Sequence, residues 1–112
     1  MTLSQLQQAV EEFDQARGWQ RVNPEHIGLH LLEELGEIAR ELLRQAAYKE
    51  GQGDIAQELT GLLILTAKLA NWLSLNLEQS VTAKLEEIQR RFPIESAQAA
   101  IERYRAQESH ED

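Results

Sequence analysis

Apolar residues at spacings of three and four run through almost the whole chain and are interrupted at only a few points. That period belongs to amphipathic helices, and no segment shows the strict alternation of a strand. The interruptions act as punctuation. Thr2 or Ser4 can cap a first helix carrying Leu3, Leu6, Val10 and Phe13. Gly18, after Arg17, ends it, because glycine readily takes the left-handed conformation at a helix terminus. After a connector over Trp19 to Val22, Asn23-Pro24 opens a second helix: asparagine caps it, and proline gives up no needed N–H at the first helical position. This helix is expected to reach about Ala47 before Gly51-Gln52-Gly53 stops it. Ile27, Leu31, Leu35, Ile38, Leu42 and Ala46 should form its continuous buried stripe.

Asp54 is placed to cap a third helix running to about Leu73. From Leu59 onward this helix is apolar almost all round, which demands burial on most sides. A 112-residue monomer cannot easily hide it, so a subunit interface in a homo-oligomer is expected. Asn76, with Gln79 at the capping-box position, opens a fourth helix whose stripe is Leu77, Val81, Leu85, Ile88 and Phe92 and which Pro93 closes. A short fifth helix is expected from about Glu95 to Ala106, followed by a polar, frayed tail from Gln107 to Asp112. The reading is all-α: a single helical domain over residues 1–106 and a tail over 107–112.

Nineteen acidic against eleven basic residues give a formal charge of −8. A surface so acidic repels a nucleic-acid backbone and an anionic membrane alike, which argues against both as partners. The longest apolar run, Leu59 to Leu75, is broken by Thr60, Lys68 and Asn71 and falls short of a membrane span. No charged-then-apolar leader opens the chain, and there is no cysteine for disulfides or thiolate chemistry. A cytoplasmic location is expected.

The chemistry concentrates in two places. Glu34 and Glu37, three residues apart, project to one side of the second helix, with His30 and Glu41 extending that edge. Glu58 and position 61 repeat the spacing on the third helix, but position 61 is glycine. Two antiparallel helices can aim both pairs at one centre, an oxygen-rich cage suited to Mg²⁺ or Mn²⁺. Glu33 lies about 100° around the helix from Glu34 and suits a water-orienting base, or simply a solvated surface position. A lone E-x-x-E is usually a solvated face; here the carboxylates border apolar stripes and the pair almost recurs.

Lys84 and Arg91 flank Ile88 on the edge of the fourth helix's stripe. They suit a polyphosphate, arginine gripping oxygens in a fork, and equally suit pairing with glutamates along the core edge. Trp19, Trp72 and Phe13 can stack on a base, although aromatics more often fill cores and interfaces. His26, His30 and Glu34 at spacings of four allow a transition-metal alternative.

These residues resemble the all-α nucleoside triphosphate pyrophosphohydrolases of the MazG-like superfamily, including the dCTP pyrophosphatase branch. The likeness spans roughly Phe13 to Pro93. It is carried by Arg17-Gly18-Trp19, Asn23-Pro24, Leu32-Glu33-Glu34-Leu35-Gly36-Glu37, Gln57-Glu58-Leu59-Thr60-Gly61-Leu62-Leu63 and the closing Lys84 to Pro93. The resemblance implies a four-helix bundle, here with a short C-terminal helix, that forms a homo-dimer or tetramer and splits a nucleoside triphosphate into monophosphate and pyrophosphate. It gives Glu34, Glu37 and Glu58 the role of Mg²⁺ ligands and Lys84 and Arg91 the phosphate contacts; beside it, the candidate catalytic residues are Glu33 and Glu34, and Trp19 is a candidate substrate contact. The sequence departs from that pattern twice, with Gly61 where an aspartate is usual and Ile88 where an asparagine is usual. A catalytically silent relative that binds a nucleotide or a partner protein is the alternative.

Overall fold

The computed structural model describes residues 1–46 and 54–110. They form five α-helices, α1 (Leu3–Arg17), α2 (Pro24–Ala46), α3 (Ile55–Trp72), α4 (Leu77–Arg91) and α5 (Ile94–His110), with one 3₁₀ turn over Trp19–Arg21 and no strand among the described residues. The all-α expectation holds.

Local chemistry sets the helix ends. Thr2, not Ser4, caps α1: its hydroxyl accepts the Gln5 N–H at 3.0 Å while the Gln5 side chain accepts the Thr2 N–H at 2.7 Å. Ser4 is otherwise engaged, its N–H and hydroxyl donating to the Glu78 carboxylate at 3.3 and 3.1 Å. Gly18 takes φ +71°, the left-handed stop expected of it. Asn23 caps α2 through the His26 N–H at 3.1 Å, and Asp54 caps α3 through the Gln57 N–H at 3.2 Å. The expected end of α2 at Ala47 and the Gly51-Gln52-Gly53 stop lie outside the described residues.

The chain divides into two compact units, Met1–Glu78 and Gln79–Asp112. In the first, α3 is the shared element, packing against both α1 and α2. Gly61 lies beside Glu34, and further along α3 Lys68 lines a cleft with Ile27, so numbers rise on α2 as they fall on α3. The two helices are antiparallel. Ala67 and Ala70, at 0% and 1% exposure, let the α3 backbone approach its neighbours closely, and Val10, Ile27 and Ile38 complete a small core.

The continuous α2 stripe is not buried as expected. Ile27 and Ile38 are, but Leu35 and Leu42 remain 52% and 53% exposed. Helical spacing identifies a face; only a neighbour buries it, and α3 covers only part of this one.

In the second unit the rest of α4 and all of α5 are helical, and the α4 stripe of Val81, Leu85, Ile88 and Phe92 is exposed rather than buried. Helix α5 starts directly after Pro93 and continues to His110, past the expected end at Ala106. Gln107 to His110 contain neither glycine nor proline, so nothing there stops a helix. No described helix is long and apolar enough to cross a membrane.

Candidate functional site

The carboxylates of α2 and α3 meet where the two helices pack. Helical spacing puts Glu34, Glu37 and Glu41 on successive turns of α2, and the antiparallel register brings Glu58 of α3 among them. Glu58 Oε2 is buried and has no hydrogen-bond partner among the described residues. Burial pushes the Glu58 carboxyl above the ordinary carboxylate range, and the negative charges of Glu37, Glu41, Glu34 and Asp54 push it the same way.

A side chain at position 61 would face this group, since a Cβ built on Gly61 stands 3.6 Å from Glu34 Oε2. The spacing of the second motif therefore points where the sequence suggested. Glu33 is exposed, and so is Glu37. As they stand, no three His, Asp or Glu side chains among the described residues are arranged to hold a metal ion. The donor set nevertheless suits a hard cation. It is all carboxylate, and among the described residues it includes a buried oxygen without a hydrogen-bond partner.

Next to the carboxylates, α1, the 3₁₀ turn, α2 and α3 enclose a cleft of about 650 Å³. Val10, Phe13, Trp19 and Ile64 give it apolar walls, and Phe13 and Trp19 meet edge to face with ring centres 5.8 Å apart. Its polar feature is an ion pair across α1 and α3: Lys68 Nζ donates to Asp14 Oδ1 at 3.2 Å, with Asp14 only 6% exposed. The Lys68 ammonium also sits 5.9 Å from the centre of the Trp19 ring. His26 and His30 line the cleft on the α2 side, and His30 Nε2 lies 3.6 Å from Glu34 Oε1. One side chain thus joins the cleft to the carboxylates.

No protein-family model and no curated protein matches this chain.

The cations of the closing motif have local partners. Lys84 Nζ lies 3.4 Å from Glu87 Oε2, and the Arg91 guanidinium is 5.5 Å from the centre of the Phe92 ring. Trp19, half exposed, stands at the cleft.

Two features escaped the sequence reading. Glu41 is not a polar edge but a buried carboxylate, 3% exposed, with Arg44 Nη1 at 3.8 Å. Its place one turn beyond Glu37 was the available signal. The Asp14–Lys68 pair was also missed, although a lysine inside the most apolar helix was its sign. A charge in such surroundings requires a partner.

Proposed function

We propose that this chain is a Mg²⁺-dependent nucleoside triphosphate pyrophosphohydrolase of the MazG-like all-α kind, acting in the cytoplasm as a homo-dimer or tetramer. The observation that carries the reading is the meeting of both acidic motifs: Gly61 against Glu34, and Glu58, with its orphaned oxygen, among the α2 carboxylates. Neighbouring carboxylates repel, and without a function their gathering at a helix junction would be a net cost.

In this reading Glu34, Glu37 and Glu58 hold the cation, Mn²⁺ serving in place of Mg²⁺. A cation held there would supply the charge that offsets the triphosphate and polarises the phosphorus centre. Glu33 or Glu34 orients water and takes its proton as the water oxygen bonds to the α-phosphorus. The bond from that phosphorus to the bridging oxygen breaks, and pyrophosphate leaves. With no side chain at Gly61, a water would take the position of a fourth carboxylate. The aromatic cleft, joined to Glu34 by His30, takes the base. Lys84 and Arg91 have the phosphate-gripping role by resemblance.

One observation favours the alternative of a silent nucleotide- or protein-binding relative: Lys84 is paired with Glu87, and the apolar Ile88 lies between the two motif cations. A panel of nucleoside triphosphates with Mg²⁺ and Mn²⁺, scored for pyrophosphate, separates the two. Metal-dependent release that Glu34→Gln abolishes while the helical circular dichroism is unchanged supports the enzyme. No release from any nucleotide supports the silent relative.

A further inference from the structure

We propose that Glu41 is a fourth carboxylate ligand of the cation, reaching it from the side of Glu58 opposite to Gly61. The proposal rests on the Mg²⁺ reading above and adds to it a carboxylate where position 61 supplies none.

The antiparallel register sets the layers. Gly61 stands against Glu34, so Glu58, one turn earlier on α3, is level with Glu37, and the next turn of α2 carries Glu41. Glu34 and Glu41 are two turns apart and so lie on nearly the same side of α2, with Glu37 between them along the axis. Either can complete a set with Glu37 and Glu58. The charge of Glu41 bears on Glu58 more strongly than that of Glu34 does.

Burial separates the two further. The Glu34 side chain is 21% exposed and has His30 Nε2 at 3.6 Å, whereas Glu41 is 3% exposed. Among the described residues the only ionic partner of Glu41 is Arg44, whose Nη1 lies 3.8 Å from Oε2, beyond hydrogen-bond reach. A half-exposed guanidinium at that distance is weak compensation for a carboxylate almost removed from water. On the facing helix, Glu58 Oε2 is buried with no hydrogen-bond partner among the described residues. Two such carboxylates call for a positive charge, and a hard divalent cation supplies one. The side chains do not converge on one point as they stand. Their rotatable stems let a cation draw them in, and the exposed Glu37 gives it a path from solvent.

Mn²⁺ titrated into the full chain, with the free ion followed by electron paramagnetic resonance, tests this without any turnover. Loss of a group that only orients a ligand already costs about 10–100-fold in metal affinity, so Glu41→Gln should weaken Mn²⁺ by about tenfold or more. Arg44→Gln separates a ligand from a carboxylate that serves only its ion pair. It removes a competing positive charge, so affinity should stay level or rise. If Glu41→Gln loses its helical circular dichroism, the parent decides: Mg²⁺ should shift the Glu41 carboxyl ¹³C resonance along with those of Glu37 and Glu58. Unchanged affinity in a folded Glu41→Gln, an equal loss in Arg44→Gln, or a Glu41 carboxyl resonance that Mg²⁺ leaves in place overturns the proposal, and the site of Glu34, Glu37 and Glu58 still stands. A parent that binds neither Mn²⁺ nor Mg²⁺ overturns the Mg²⁺ reading itself, and the proposal with it.

Discussion

Position 61 shows how much one missing side chain decides. A methyl group there meets Glu34 Oε2 at an ordinary contact distance of 3.6 Å, so nothing need move to accept it. Glycine inside a helix costs about 1 kcal/mol relative to alanine. Gly61→Ala should therefore raise stability by roughly that amount, seen as a higher thermal midpoint. Gly61→Asp should do the opposite without cations, because it adds a charge beside Glu34, and should then gain more thermal stability from Mg²⁺ than the parent does. Calorimetric Mg²⁺ affinity should rise with it; an unchanged affinity would mean the second motif does not serve the carboxylates. Glu58 carries a separate expectation in pH. Its folded-state pKa lies above the ordinary 4.5, so the stability it contributes is fully present below that value and lost as pH rises through the folded pKa. Glu58→Gln, which stays neutral, should be more stable than the parent near pH 7. The advantage should close toward pH 4 in urea-unfolding midpoints.

Among the elements, every described helix was legible in the sequence because its signals are local. A cap, a proline at the first turn or a left-handed glycine acts within a few residues, and Thr2, Gly18, Asn23 and Asp54 all act as read. Burial was less legible, since it depends on what an element meets. The spacing that marks Ile27 and Ile38 marks Leu35 and Leu42 equally, and only the first two are covered. The same limit hid Glu41, polar by type and buried by position, and the pair joining Asp14 to Lys68 across 54 residues of sequence. That pair allows a direct test of how α1 is held to α3. Lys68→Met leaves Asp14 buried and uncompensated and should cost about 3 kcal/mol, whereas Asp14→Leu combined with Lys68→Met should restore most of it. Denaturant unfolding of the two variants measures the difference.

For the molecule as a whole, the proposed oligomer has a clear physical motive. Leu32, Leu35, Leu42 and Leu43 on α2 and Leu59 and Leu63 on α3 are each at least 47% exposed in the single chain. Large apolar side chains left in water in such number favour association, which buries them. Light scattering at micromolar concentration should give a dimer or larger, and a monomer would remove that part of the reading. A different consequence follows from Gln7. Its side-chain amide donates to Asn71 Oδ1 at 3.0 Å and to the Leu75 carbonyl at 2.8 Å, while its Oε1 accepts the Leu77 N–H at 2.9 Å. The first amide of α4 has no carbonyl within its own helix to bond, yet here it is held by a residue seventy positions earlier. In deuterated solvent the Leu77 amide should therefore exchange with the slow kinetics of a helix interior. Gln7→Ala should return it to the fast rate of a frayed end and open the Leu73–Leu77 link to protease nicking, making one glutamine the latch that sets how long this stretch of chain survives intact.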